Sequence, residues 1–76
     1  GFNFVIPAKA NESLVLQIKD LSGATIYSIT SEDHSGSGHN LQWNGRNNNG
    51  KKVESGIYFA ELIGERFYET VKLIVH

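Results

Sequence analysis

Apolar residues recur at alternate positions in short bursts along this chain, and no stretch repeats them at helical spacing. An extended backbone points successive side chains to opposite faces, so this period of two writes strands with one buried face. The bursts are separated by Gly, Asn, Ser and Asp, which favour turns through positive φ or by bonding their own backbone. Phe2, Phe4 and Ile6 alternate with Asn3 and Val5 until Pro7 ends the run. Leu14, Leu16 and Ile18 alternate with Val15, Gln17 and Lys19, and Asp20-Leu21-Ser22-Gly23 supplies the turn that follows. Thr25 to Thr30 is rich in β-branched residues and reads as a third strand. Its apolar positions Ile26, Tyr27 and Ile29 break the strict period, which predicts a β-bulge there.

Ser31 to Gly38 is polar and reads as a loop, and Leu41 and Trp43 mark a short fourth strand. Asn44-Gly45 and Asn49-Gly50 are turn signals that leave no room for a long strand between them, and Val53 anchors a brief pairing segment. Ile57 to Ile63 places Tyr58, Ala60 and Leu62 on one face. Gly64-Glu65 turns the chain, and Phe67 to Val75 forms the last strand, with Phe67, Val71, Leu73 and Val75 in phase and Glu69 the exception. About seven short strands at this spacing predict an all-β antiparallel sandwich. Leu, Ile, Val and Phe make up 22 of the 76 residues, above the roughly 20% floor below which disorder is expected. The length supports one small core, so residues 1–76 are read as a single module. The chain begins with Gly and contains no Met, and the expectation is a C-terminal piece of a larger protein.

Composition excludes several classes of function. Seven Lys and Arg against eight Asp and Glu leave a net charge of -1 without a basic run, so no nucleic-acid partner is expected. The absence of Cys removes disulfides, zinc-thiolate sites and cysteine catalysis together. No apolar run approaches the roughly 18 residues of a membrane-spanning helix. Asp33-His34-Ser35 contains the residue types of a hydrolase triad, yet three neighbours on one loop do not converge on a reacting atom. His34, His39 and His76 lack an evident fourth metal ligand. In the loop around Asn47, Asn49 and Gly50, a calcium alignment puts Gly45 and Gly56 where carboxylates belong. Asn11-Glu12-Ser13 matches a glycosylation sequon, a three-residue pattern common by chance. The expectation is therefore no catalytic residue, no cofactor and no metal, and a monomer in isolation.

The most distinctive stretch runs from Gln42-Trp43-Asn44-Gly45-Arg46 through Asn49-Gly50 to Ser55-Gly56-Ile57-Tyr58-Phe59. It resembles the W-D-G-x-x-x-x-G…S-G-x-Y pattern of the immunoglobulin-like domain of flagellar hook-capping proteins, and equally the C-terminal sorting domains of bacterial type IX secretion substrates. Leu16 to Gly23 is similar to the strand-and-turn that precedes this pattern, and Val71-Lys72-Leu73-Ile74-Val75-His76 to the lysine-bearing last strand. Asn44 stands where the pattern has Asp, and Lys19 where it has Tyr; both substitutes suit a turn or a strand. The resemblance implies an immunoglobulin-like sandwich that is not an enzyme. It implies type IX sorting and surface anchoring, a secretion or surface-attachment protein as partner, and a location outside the bacterial cell or on its surface. Contact would then fall on Val71, Lys72, Leu73, Ile74 and Val75, because a terminal sheet edge can add to a partner by strand pairing. A structural domain of the flagellar hook cap, packed against neighbouring subunits, is the alternative within the same resemblance.

Read physically, Trp43, Asn44, Gly45, Gly50, Gly56 and Tyr58 build a corner and need perform no chemistry: the indole is buried beneath a long connection, and the glycines and Asn44 shape the turns. A reading from another class makes Phe59, Tyr68 and Tyr27 a platform for stacking sugar rings. The module would then bind or space a polysaccharide for a degrading enzyme.

Overall fold

The structure, a computed structural model, describes residues 1–6, 13–32 and 39–76. Among the described residues six strands form: β1 (Phe2–Ile6), β2 (Leu14–Lys19), β3 (Thr25–Ser31), β4 (His39–Trp43), β5 (Gly56–Ile63) and β6 (Tyr68–Val75). The seventh pairing segment anticipated at Val53 is reduced to a single bridge between Arg46 and Lys52, closed by the Val53 N–H donating to the Gly45 carbonyl at 2.9 Å. Pairing is antiparallel throughout. One layer is the pair β1-β4; the other has four strands in the order β3-β2-β5-β6.

The alternating sequence pattern sets which side chains the layers share. Leu14, Leu16 and Ile18 of β2 are buried, as are Tyr58, Ala60 and Leu62 of β5, and Leu16 and Ile18 stand opposite Leu62 and Ala60 in the β2–β5 register. Phe4, Leu41 and Trp43 of the two-stranded layer close the same cluster from the other side, and Leu73 completes it from β6. This is a β-sandwich. The anticipated bulge lies where the β2–β3 register shifts between Ile18 and Lys19, which lets both Ile26 and Tyr27 pack against the core.

The β2–β3 turn is built on the Asp20 carboxylate. Its Oδ1 accepts the Ser22 and Ala24 backbone N–H groups at 2.9 and 3.1 Å and the Ser22 hydroxyl at 2.6 Å. The Ser22 hydroxyl, and then the backbone N–H groups, hold this carboxyl below its ordinary range. A depressed folded-state value contributes stability above the ordinary carboxylate range, and that contribution is lost as pH falls through the folded-state value. Asp20→Asn is therefore expected to be less stable than the parent at pH 7, with the gap narrowing once pH falls below the ordinary carboxylate range, read by urea titrations at pH 7 and pH 2. A gap unchanged between them would show that the charge contributes nothing to the turn.

Candidate functional site

Trp43 ends β4 on the inward face and is 1% exposed. Its ring lies 5.7 Å from Phe2 in a stacked arrangement, 5.9 Å from Tyr58 edge-on and 6.5 Å from Tyr27. A buried indole needs a partner for its one donor. Here Nε1–H donates to the Arg46 carbonyl at 2.9 Å, so the ring pins down the loop that follows it.

That loop is shaped by Asn47. Its Oδ1 accepts the backbone N–H groups of Asn49 and Lys51 at 3.0 and 2.9 Å, while the Asn47 and Gly50 N–H groups donate to the Lys51 and Asn47 carbonyls. Gly45 and Gly50 take φ of 78° and 80°, in the left-handed region where a Cβ is strained. Arg46 donates through its guanidinium to the Gly50 carbonyl at 3.0 Å. The Tyr58 hydroxyl donates to the Glu54 carbonyl at 2.6 Å and ties the return of the loop to β5.

Asn48 does something different. Its backbone N–H donates to the Ile26 carbonyl at 3.3 Å, its side-chain oxygen accepts from the Ser28 N–H at 2.9 Å, and its Nδ2 donates to the Ser28 carbonyl at 3.1 Å. One asparagine thus stands in for a neighbouring strand along the outer edge of β3. An open edge offers unpaired N–H and C=O groups to any passing chain, and this contact covers them at Ile26 and Ser28.

The sequence marks Asn44 as a residue able to shape this turn by bonding its downstream backbone. Asn44 is instead exposed and makes no hydrogen bond among the described residues, and Asn47 takes that role. The sequence marks Asn47 only through the calcium alignment and gives Asn48 no role, and the triplet Asn47-Asn48-Asn49 is the one signal that points to them. The same geometry removes the calcium alignment, since the Asn47 oxygen is spent on two backbone N–H groups. A cleft of about 490 Å³ beside the corner is lined by Phe2, Tyr27, Gln42, Trp43, Arg46 and Asn48. Its size falls within the range of small-molecule sites. Its indole floor is sealed, however, and Arg46 and Asn48 are already engaged within the protein. Asp33, His34, Ser35 and the Asn11 sequon lie outside the described residues.

The sugar platform does not assemble. Tyr27 pairs with buried Ile18 and faces the interior against Trp43, whereas Phe59 and Tyr68 lie on the outer face of the four-stranded layer. Phe59 and Tyr68 are themselves separated, since Tyr68 stands opposite Ile63, four residues along β5, or about 13 Å at the rise of a strand. Tyr68, 63% exposed, is bound into a polar network, donating its hydroxyl to Glu61 Oε2 at 2.5 Å and accepting from Thr70 at 3.1 Å. Glu61 Oε1 lies 2.7 Å from the Lys19 ammonium. Hydrogen bonds from Lys19 and then Tyr68 hold the Glu61 carboxyl below its ordinary range, and the same contact with Glu61 raises Lys19.

The predicted contact segment, Val71 to Val75, lies within β6, which pairs only with β5 among the described residues. Val71, Leu73 and Val75 face inward, opposite or beside the buried faces of Ala60 and Tyr58. Lys72 and Ile74 face outward, and Ile74 is 53% exposed. Glu69, out of phase in the sequence, stands opposite buried Leu62 on the inward side yet is exposed at the rim.

The family model for the FlgD Ig-like domain matches residues 1–64. No curated protein and no solved structure matches the chain. The matched range takes in β1 to β5, the Asp20 turn and the whole Trp43–Tyr58 corner, and β6 lies beyond it. It supports the hook-capping side of the resemblance and gives none to type IX sorting. With most of its length inside that range, and two of the three segments that carry the resemblance, this chain belongs to the FlgD Ig-like domain family.

Proposed function

We propose that this chain is a non-catalytic structural module of the flagellar hook-cap type, acting at the bacterial cell surface by packing against neighbouring subunits. The family match over residues 1–64 carries the reading. The chemistry of the corner agrees with it, since Trp43, Arg46, Asn47, Asn48 and Tyr58 direct their polar atoms into the protein's own backbone. A stiff scaffold results, and stiffness is what a packing module needs. The contact surface is assigned to β6, the outer strand of the larger layer, with Lys72 at its centre.

The test is a graft. Residues 1–76 replace the Ig-like domain of a hook-capping protein, and hook assembly and swimming are measured in a strain lacking the native cap. Retained hook assembly is the expected result. A grafted cap that is stable and exported but assembles no hooks would refute the hook-cap reading.

A further inference from the structure

The two outer strands of the four-stranded layer are treated differently. Asn48 covers β3 at Ile26 and Ser28, while nothing among the described residues pairs with the outer edge of β6. Alternate backbone groups of Tyr68–Val75 therefore point away from the sheet. Two charges flank this edge on opposite faces: Glu69 on the inward side, opposite Leu62, and Lys72 on the outward side, opposite Phe59. Among the described residues neither forms an ion pair.

We propose that the β6 edge recognises an extended segment of a different protein carrying an acidic residue and, three positions later, a basic one, and that it rejects a second copy of this chain. The proposal rests on the assignment of β6 as the contact surface and names the chemistry of what it contacts. In an antiparallel addition, residues directly opposite each other share a face. An acidic side chain opposite Lys72 then lies on the outward face. The partner's third residue onward comes opposite Glu69 on the inward face, where a basic side chain fits. Positions opposite Val71, Leu73 and Val75 extend the apolar inward face and call for β-branched residues.

Self-pairing cannot meet these demands. Two copies joined through β6 antiparallel are related by a two-fold axis perpendicular to the sheet, which keeps inward residues opposite inward ones. Glu69 and Lys72 occupy opposite faces, so neither can meet the other's counterpart. The registers with the fullest overlap centre on Val71 or Lys72. The first sets Glu69 opposite the second copy's Leu73, and the second sets Lys72 opposite the second copy's Lys72. A charge against an apolar residue or against its like is the device by which natural edges resist self-association. A foreign strand escapes this restriction because its sequence is not tied to that of β6.

The test uses the 76-residue chain and dye-labelled peptides. Val-Thr-Val-Glu-Val-Thr-Lys places Glu opposite Lys72 and Lys opposite Glu69; a second peptide exchanges its Glu and Lys. Binding is read by fluorescence anisotropy, and its location by backbone amide shifts. The matched peptide is expected to bind about tenfold more tightly, given two pairs turned from attraction to repulsion. Its shifts are expected on Tyr68–Val75, and the protein alone is expected to sediment as a monomer. The double variant Glu69→Lys with Lys72→Glu should reverse the preference, with Trp43 fluorescence confirming its fold. Equal affinity for the two peptides, shifts centred on the β1-β4 layer, or a β6-mediated dimer would each overturn the proposal. Peptide discrimination alongside a failed graft would remove the hook-cap reading and leave this one standing.

Discussion

Trp43→Ala is expected to remove a large share of the chain's stability at 25 °C, about 3–5 kcal/mol. The indole is fully buried and touches three other rings, and its N–H holds the Arg46 carbonyl. Truncating a buried Trp to Ala typically costs about 3–5 kcal/mol. A domain of 76 residues has only about 4–11 kcal/mol in total at the usual stability per residue. Loss of the anchor also frees the loop carrying Asn47 and Asn48, so the damage is not confined to the cavity. Urea titration followed by far-UV circular dichroism measures this directly. Trp43→Phe serves as the control: it retains ring packing and gives up the hydrogen bond, and a smaller loss of about 1–2 kcal/mol is expected. A Trp43→Ala protein within about 1 kcal/mol of the parent would mean that the corner is not built on the indole.

Asn48→Ala is expected to act in two ways at once. It removes two side-chain hydrogen bonds to the Ser28 backbone, for a loss of about 1–2 kcal/mol at a net value near 1 kcal/mol each. It also uncovers the β3 edge, where Ile29 is already 40% exposed, and an uncovered edge pairs with other chains. Urea midpoints should fall, and sedimentation should become concentration-dependent where the parent stays monomeric. Asn48→Asp keeps the acceptor for the Ser28 N–H but loses the Nδ2 donor, and an intermediate result is expected. An Asn48→Ala protein as stable and as monomeric as the parent would show that the loop merely rests against β3. The contrast with β6 gives this prediction its functional weight, because docking through β6, as proposed above, requires the opposite edge to stay closed.

The strands and their buried faces were legible along the chain. Leu14, Leu16 and Ile18, and again Tyr58, Ala60 and Leu62, announce their inward side through a spacing that any extended backbone converts into a face. Even the bulge at Ile26 and Tyr27 showed as a lapse in that spacing. The corner was readable as a corner because Trp, Gly and Asn have narrow conformational and solvation demands. The division of labour among the asparagines was not. Asn44, Asn47, Asn48 and Asn49 share one chemistry, and which of them meets a backbone N–H depends on where the loop lands.

Local order thus fixed the identity of the pleated layers, since strand alternation and turn preference act between residues a few positions apart. Fold closure settled the rest. Asn48 reaches Ser28 across twenty positions of sequence, Tyr27 turns from a sugar platform to the face of Trp43, and Glu69 comes opposite Leu62 on the last strand of the larger layer. Each of these depends on which strands become neighbours and in what register, a property of the whole chain's packing that no short window of residues encodes.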